Sequence, residues 1–308
     1  MAVKINQKDW KILTSLAEYR MLLVYHLAAL DRRNIQSLRR RLCYLETEGL
    51  VCITARDFGK NRGRPEQRIS LAVKGVDMLK SEGFLDADIS AEFVTAEKIR
   101  CIDHHMLMND LRIQLVQIQR IASQLSVRFL TTTSPTEQVA SGSRPLIHEK
   151  IQTFNKPSRW VGFTPDGVFS ISQPAVNKTL LFFLEVDMGT ETLVRAGMSG
   201  YDVRQKIINY KIYFVREQYK RYEQIWNCQL HGFRLLFLTH SRARSDVMCK
   251  LVREMSPSGF IWLTDRKRLL SGGIWANIWA GGGQNNLPLQ SILGNQAPDP
   301  TPKPSAQL

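Results

Sequence analysis

The sequence predicts an α+β chain whose second domain is of the α/β type, with a mixed sheet. Apolar residues at helical spacing fill residues 8–47, and two strand-like stretches around a polar turn follow in residues 50–71. After residue 95, a long helical pattern precedes alternating strand and helix patterns, which are typical of a sheet covered by helices. The 308 residues suffice for two domains. The predicted parts are an N-terminal domain at 1–84, a linker at 85–94, a second domain at 95–280 and a disordered tail at 281–308.

Three helices, a β-hairpin and a closing helix are predicted in the N-terminal domain. The predicted elements are helices at 8–17, 20–30 and 35–48, strands at 50–57 and 67–71, and a closing helix at 72–83. Asn34 is a suitable N-cap for the third helix, and Gly49 ends it. A polar, basic turn at residues 59–65 joins the strands. This order is typical of a winged helix-turn-helix, whose third helix enters the major groove of DNA and whose wing contacts the backbone or minor groove.

Candidate DNA contacts lie on the third helix and on the tip of the hairpin. The residues expected to contact double-stranded DNA are Ser37, Arg39, Arg40, Arg41 and Tyr44 on the helix, and Arg62 and Arg64 in the wing. Two alternatives remain for these positions. The arginines can form an ordinary solvated face, or a winged helix can serve protein dimerisation.

Composition points to the same class of partner. The net charge of +14 and the pI near 9.7 favour polyanions, nucleic acid first and anionic membrane surfaces second. No apolar run approaches the roughly 18 residues of a membrane span, and residues 1–10 have no signal-peptide core, so we expect a cytoplasmic protein. The cysteines are odd in number, scattered and without zinc-ligand spacing, which predicts reduced core thiols. They are Cys43, Cys52, Cys101, Cys228 and Cys249.

The second domain is predicted to consist of one long helix followed by a sheet with further helices. The predicted elements are a helix at 95–123, strands at 127–133, 168–172 and 179–187, a helix at 200–226, a strand at 233–239, a helix at 241–255 and a strand at 259–264. Residues 134–160 are expected to be irregular and basic. On the first helix, His105, Asn109 and Arg112 share one face, which either looks into a site or packs satisfied polar groups. Residues 274–279 are expected to pack back on the domain.

Acidic residues follow the most apolar strand of the chain. Glu185 and Asp187 are two residues apart, so a strand projects both from one face near its end. Asp166 precedes the neighbouring strand. Carboxylates from adjacent strands suit Mg²⁺, a hard cation that polarises phosphate and helps to generate hydroxide. Asp166, Glu185 and Asp187 are therefore candidate metal ligands and catalytic residues, and Lys206 is a candidate charge stabiliser.

This element order resembles the restriction-endonuclease-like, or PD-(D/E)XK, fold. Pro165-Asp166 and Glu185-x-Asp187 resemble its motif, although Asp187 stands where that motif has lysine. The spacing from Lys206 to Tyr210 is similar to the Gln-x-x-x-Tyr signature of its exonuclease branch. Structural roles are the alternatives. Asp166 can be a turn residue, Glu191 can cap the following segment, and the other two acids can pair with Arg195, Arg204 or Lys206.

Residues 8–265 resemble the replication-relaxation proteins of plasmids and other mobile elements. The matching stretches are Trp10-Lys11-Ile12-Leu13, Arg39 to Leu42, Arg62 to Pro65, His105 to Arg112, Pro165 to Gly167, Phe183 to Glu191, and Lys206 to Tyr210. The resemblance implies DNA binding and a role in plasmid replication or relaxation, without supplying a reaction. We thus expect a DNA-binding accessory protein that acts beside other replication or mobilisation proteins. A Mg²⁺-dependent endonuclease or nickase, and a transcriptional regulator with a dimerising C-terminal domain, are the alternatives.

Overall fold

The computed structural model describes most of the chain and divides it into two compact units. The described residues are 4–55, 67–132, 147–152, 160–194 and 202–294. One unit contains residues 4–113, and the other contains residues 114–132 and 147–294. The division falls within a helix, whereas the sequence suggests a linker at residues 85–94. That linker stays a prediction.

The first unit combines helices with a small antiparallel sheet. Its elements are α1 (Gln7–Tyr19), β1 (Met21–Leu23), α2 (Val24–Asp31), α3 (Ile35–Thr47), β2 (Val51–Ala55), β3 (Gln67–Leu71), α4 (Val73–Ser81), α5 (Ala91–Val94) and the first part of α6 (Ile102–Ile121). The sheet has the order β1-β3-β2. The predicted order of three helices followed by two paired strands is confirmed.

Local sequence signals explain where α1 and α3 begin and end. The Asn6 side chain accepts hydrogen bonds from the backbone N–H groups of Lys8 and Asp9, which caps α1. Asn34 caps α3 in the same way. Gly49 follows α3 with a φ of +72°, a conformation that favours glycine. The predicted cap and stop of the third helix are therefore confirmed.

Two predicted helices of this unit begin later than expected. The predicted helix at 20–30 starts with β1, because the apolar Met21–Leu23 segment is fully buried and pairs with β3. The predicted helix at 95–123 starts only at α6. Before it, the Arg20 side chain donates hydrogen bonds to the backbone carbonyls of Thr95 (3.1 Å) and Glu92 (3.4 Å). These contacts hold the chain ahead of α6 in a separate segment, which includes the short helix α5.

The second unit is built on a six-stranded mixed sheet. Its further elements are β4 (Ser126–Leu130), β5 (Glu149–Gln152), β6 (Trp160–Phe163), β7 (Gly167–Gln173), β8 (Lys178–Asp187), α7 (Val203–Val215), α8 (Arg221–Trp226), β9 (Phe233–Thr239), α9 (Arg242–Glu254), β10 (Ile261–Asp265), α10 (Arg266–Gly272) and β11 (Ala280–Gly281). The sheet order is β11-β10-β9-β8-β7-β4. Strands β8, β9 and β10 run parallel, and the other neighbours pair antiparallel. The predicted mixed sheet of an α+β chain is confirmed.

Strand β8 is the central element of this unit and sends alternate side chains into its main core. Leu181 and Phe183 belong to a core that also contains Tyr210 of α7 and Val252 of α9. The Phe183 ring lies edge-on to Tyr210, with 5.7 Å between the ring centroids. Because side chains two residues apart share a face, the next positions, Glu185 and Asp187, project to the same side.

Several predictions for the second unit need correction. The predicted irregular stretch at 134–160 contains β5, which pairs with β6 in a separate hairpin. The predicted helix at 200–226 is two helices, because Glu217 takes a left-handed conformation with a φ of +52° between α7 and α8. Residues 281–294 were expected in the tail, yet Ile292 is fully buried and Trp279 pairs with Gln290. Residues 295–308 lie outside the described part.

The cysteines and residues 274–279 agree with the sequence-based expectations only in part. All five cysteines are free thiols, but the prediction that they lie in cores is wrong for Cys43, Cys52 and Cys101, which are exposed. Cys249 is buried as expected. The predicted packing of residues 274–279 is confirmed for Trp279, whose side chain is fully buried and whose Nε1–H donates to the Ile274 carbonyl. Among the described residues, no helix is long and apolar enough to cross a membrane.

Candidate functional sites

The outer face of α3 presents uncompensated positive charge. Leu38, Leu42 and Leu45 bury the opposite face of this helix. Arg39 and Arg40 are exposed, and neither forms a salt bridge with any residue that the structure describes. Ser37 is also exposed, near the start of α3, and its hydroxyl donates to the Asn34 carbonyl (3.1 Å). The arginines are therefore available to an anionic partner. We call Ser37, Arg39 and Arg40 the α3 face.

The next arginine has a structural role. Arg41 donates from Nε and Nη2 to the two carboxylate oxygens of Asp9, at 2.7 and 2.6 Å, and Asp9 is fully buried. The hydrogen bond to Asp9 raises the pKa of Arg41. Its guanidinium also stacks 4.1 Å from the ring centre of Tyr44. Arg41 and Tyr44 were predicted to contact DNA, and this stays a prediction; within the chain, the hydrogen bonds from Arg41 to Asp9 join α3 to α1. Arg62 and Arg64 lie outside the described residues.

The polar face on α6 packs against the end of α1. His105 Nε2 lies 2.7 Å from the Tyr19 carbonyl oxygen, and Asn109 donates to the carbonyls of Tyr19 (3.1 Å) and Met21 (2.9 Å). Burial lowers the pKa of His105 to about 4. Arg112 pairs with Glu18. Of the two readings of this face, the packing of satisfied polar groups is the one that the structure shows.

Glu185 is a buried carboxylate held by two residues of α7. Lys206 Nζ donates to its Oε2 (2.9 Å), and the Tyr210 hydroxyl donates to its Oε1 (2.6 Å). Lys206 and Tyr210 are four residues apart, so they lie on one helical face. Burial raises the pKa of Glu185 to about 7; the Lys206 charge opposes this shift and the Asp166 charge adds to it. Burial disfavours the charge on Lys206, but the carboxylates of Glu185 and Glu191 outweigh it and raise its pKa.

Asp166 is fixed at the point where β7 begins, beside β8. Its Oδ2 accepts a hydrogen bond from the Val186 backbone N–H (2.7 Å), and its own N–H donates to the Leu184 carbonyl (3.1 Å). The Asp166 carboxylate is thus near enough to raise the pKa of Glu185. The structure brings these two predicted residues together with Lys206.

Asp187 faces a different partner, Arg244 of α9. Arg244 donates from Nε to Oδ1 (3.0 Å) and from Nη2 to Oδ2 (2.8 Å), and the Gly189 N–H also donates to Oδ1 (2.6 Å). The sequence suggested Arg195, Arg204 or Lys206 for such a pair. Asp187 lies opposite Thr239 in the parallel β8–β9 pair, and α9 starts three residues after β9. A positive residue in the first turn of that helix was therefore the signal that could have identified Arg244.

A second buried carboxylate lies in the hairpin that sequence reasoning missed. Glu149 of β5 accepts hydrogen bonds from the Tyr222 hydroxyl (2.6 Å) and from Arg221 (3.2 Å). Its side chain is almost fully buried. Tyr222 and Tyr210 belong to the same core. Glu149 escaped detection because the stretch around it lacks a clear strand pattern.

These contacts decide which of the predicted metal ligands fit a cation. Both oxygens of Asp187 are bound by Arg244, so this side chain is already neutralised. In the part of the chain that the structure describes, no group of three or more His, Cys, Asp or Glu residues is placed to hold a metal ion. Asp166 and Glu185 are the two predicted carboxylates that lie together. The magnesium site stays a prediction, and Asp166 and Glu185 are the two residues that remain candidate ligands.

The fold and these sites define a basic α+β protein with an arginine-bearing helix in one unit and a carboxylate–lysine cluster in the other. The sequence pattern of the replication-relaxation family matches residues 13–227, well over half of the chain. The chain belongs to the replication-relaxation family. Membership suggests a role in the replication or relaxation of plasmid or mobile-element DNA. No curated protein gives a significant match to the chain.

Proposed function

We propose that this protein is a DNA-binding accessory factor in plasmid or mobile-element replication or relaxation. It binds duplex DNA through a winged helix formed by α1–α3 and β1–β3. The second unit either adds a second basic surface or organises other replication or mobilisation proteins in the cytoplasm. Family membership and the net charge of +14 support this proposal.

The α3 face gives this proposal its strongest support. One side of α3 is anchored in the core, and the other exposes two arginines that pair with no described acid. A helix of this kind fits the major groove, where arginine binds guanine edges or phosphate. Because α3 is followed by the paired strands β2 and β3, the hairpin tip with Arg62 and Arg64 would contact the phosphate backbone beside it.

The proposal is tested by the affinity for a fluorescent DNA duplex, measured by anisotropy. The double variant Arg39→Ala, Arg40→Ala should bind about thirtyfold more weakly, because each of the two phosphate or base contacts contributes on the order of 1 kcal/mol. The matched control is Arg242→Ala, Lys250→Ala, which removes two exposed positive charges from α9. Equal weakening by both double variants would show that only net charge matters and would reject α3 as the reading helix.

A metal-dependent DNA endonuclease or nickase is the second candidate function. It is favoured by Asp166 and Glu185, which come from adjacent strands, and by Lys206 at 2.9 Å from Glu185. The two carboxylates would hold a Mg²⁺ ion, which polarises phosphate when bound. Lys206 would balance the negative charge that develops on the phosphate, and Tyr210 would hold Glu185 in position.

Two measurements separate this candidate from a structural cluster. Supercoiled plasmid with Mg²⁺ or Mn²⁺ should be nicked by the wild type and not by Glu185→Gln. Independently, Mg²⁺ should raise the melting temperature of the wild type but not that of Glu185→Gln, since a bound ion stabilises the folded state. The absence of both effects in the wild type would reject the enzymatic function and leave the DNA-binding proposal intact.

A further inference from the structure

The second unit contains a cavity at the end of the sheet opposite to the acidic residues. Its volume is about 680 Å³, which lies in the range of small-molecule binding sites. Residues 178–182 of β8 and 232–234 around the start of β9 line it. Glu185 and Asp187 lie near the other end of β8, so this cavity is separate from the carboxylate–lysine cluster.

Aromatic rings form one wall of the cavity. Phe214, Phe233 and Phe260 line it together. The rings of Phe214 and Phe260 lie 5.0 Å apart with a 30° tilt, and Phe233 meets Phe260 edge-on at 5.6 Å. Phe214 and Phe260 are only half-buried, so parts of their surfaces remain open to a ligand. Such surfaces suit a flat aromatic ring, and nucleobases stack on them without regard to sequence.

The lining also contains basic side chains. Lys178, His231 and Arg234 line the cavity, and none of the described residues around it is Asp or Glu. The half-buried Arg234 guanidinium stacks 4.2 Å from the centre of the Trp262 ring. Within the described ranges, it has no side-chain hydrogen bond or salt bridge, and burial lowers its pKa. A partly desolvated guanidinium without an acid favours an anion, and its planar fork matches phosphate.

We propose that this cavity binds a nucleobase with an attached phosphate. The base lies against Phe214 and Phe260 on the face of the sheet that Phe233 shares. The phosphate extends around the start of β9 to Arg234, which projects from the opposite face beside Trp262, with help from Lys178. The amide groups of Asn177 and Gln229, which also line the cavity, are donors and acceptors for the base edge. The ligand is either a free nucleotide or one nucleotide of a DNA single strand, since both carry this chemistry. Among the described lining residues, none belongs to the α3 face or to the Glu185 cluster.

Calorimetric titration of the full-length protein with adenosine 5′-monophosphate, adenosine and a thymidine octanucleotide tests the proposal. The monophosphate should bind and adenosine should bind much more weakly, because the phosphate supplies the charged contact. Arg234→Gln should weaken binding about tenfold, the effect of one charged hydrogen-bond partner. Lys250→Gln removes an exposed charge outside the cavity and should change binding less than about twofold. Arg39→Ala, Arg40→Ala should leave monophosphate binding unchanged, which separates this site from the proposed DNA-binding surface.

The two ligand sources differ in the octanucleotide titration. The site binds a single strand if the octanucleotide binds more than about tenfold more tightly than the monophosphate and Arg234→Gln weakens that binding. Similar affinities assign it to a free nucleotide. If circular dichroism shows that Arg234→Gln does not fold, the exposed Lys178→Gln decides, with an expected loss of about threefold. No binding of either phosphate ligand by the wild type, or unchanged binding by a folded Arg234→Gln or Lys178→Gln protein, would overturn the proposal.

Discussion

The α3 face and the acidic end of β8 both contain charged side chains. Only the charges at the end of β8 are balanced by opposite charges within the described part of the chain. Arg39 and Arg40 meet no described acid. Glu185 and Asp187, in contrast, are each bound by a cation from a neighbouring helix, Lys206 in one case and Arg244 in the other. Uncompensated surface charge is available to another molecule. Compensated and buried charge fixes the position of one element on another.

The difference sets the expected effect of substitutions in each region. A buried ion pair is costly to break, because the remaining charge has lost its water and its partner. An exposed arginine without a partner contributes little to folding, so its loss should appear only in binding. Substitutions at the acidic end of β8 should therefore lower the free energy of unfolding, whereas substitutions in the α3 face should lower the affinity for DNA.

The largest expected effect comes from the β8 end. Arg244→Ala leaves the buried Asp187 carboxylate without its cation and should lower the free energy of unfolding by about 3–5 kcal/mol. Urea denaturation measures this change. The control is Arg242→Ala, whose side chain is 72% exposed and lies 3.8 Å from Asp246; it should cost at most about 0.5 kcal/mol. Similar losses in both variants would mean that the Asp187–Arg244 pair is not a structural tie.

Glu185 should make stability depend on pH. Its pKa is about 7 in the folded chain, against an ordinary value of 4.5, because it is buried. Between these values the folded chain holds a proton that the unfolded chain releases, so the free energy of unfolding falls as the pH rises. The fall should reach up to about 3 kcal/mol between about pH 4.5 and pH 8. Urea denaturation across this range, with a chelator present, should show a smaller fall for Glu185→Gln. Equal falls would contradict the assigned pKa.

A contrast within α3 should produce an intermediate effect. Arg41→Ala removes the cation that binds the fully buried Asp9 carboxylate. One hydrogen bond to that carboxylate remains, because the Asn6 N–H still donates to it (2.8 Å). We expect a loss of about 2 kcal/mol in the free energy of unfolding. Arg39→Ala, two residues earlier, should leave stability within about 0.5 kcal/mol. If thermal and urea denaturation rank the two variants in the reverse order, the division of α3 into an anchored and an open side is wrong.

Local patterns predicted much of this fold from the sequence. Strand β9 has the predicted bounds, because a run of large apolar residues between turns defines a buried strand. Asn34 caps α3 as predicted, since capping depends on residues within one helical turn. The same reasoning located Glu185 and Lys206 as candidates for one site. Their spacing along a strand and along a helix is a local property.

Contacts between distant residues could not be predicted in this way. Asp187 and Arg244 are 57 residues apart, and Asp9 and Arg41 are 32 apart. Whether an arginine binds a chain carboxylate or remains open to solvent depends on how helices pack, which periodicity does not specify. The β5 strand was missed for another reason, because the stretch around Glu149 lacks a clear strand pattern.

Binding of duplex DNA by the α3 face should be visible in the salt dependence of the DNA affinity. Each arginine that neutralises a phosphate releases a counterion, so the plot of log affinity against log salt steepens by about one unit per contact. Arg39→Ala, Arg40→Ala should make this slope shallower by about two and should weaken binding about thirtyfold near 0.1 M salt. The same slope and affinity in the wild type and the folded double variant would contradict DNA binding by this face.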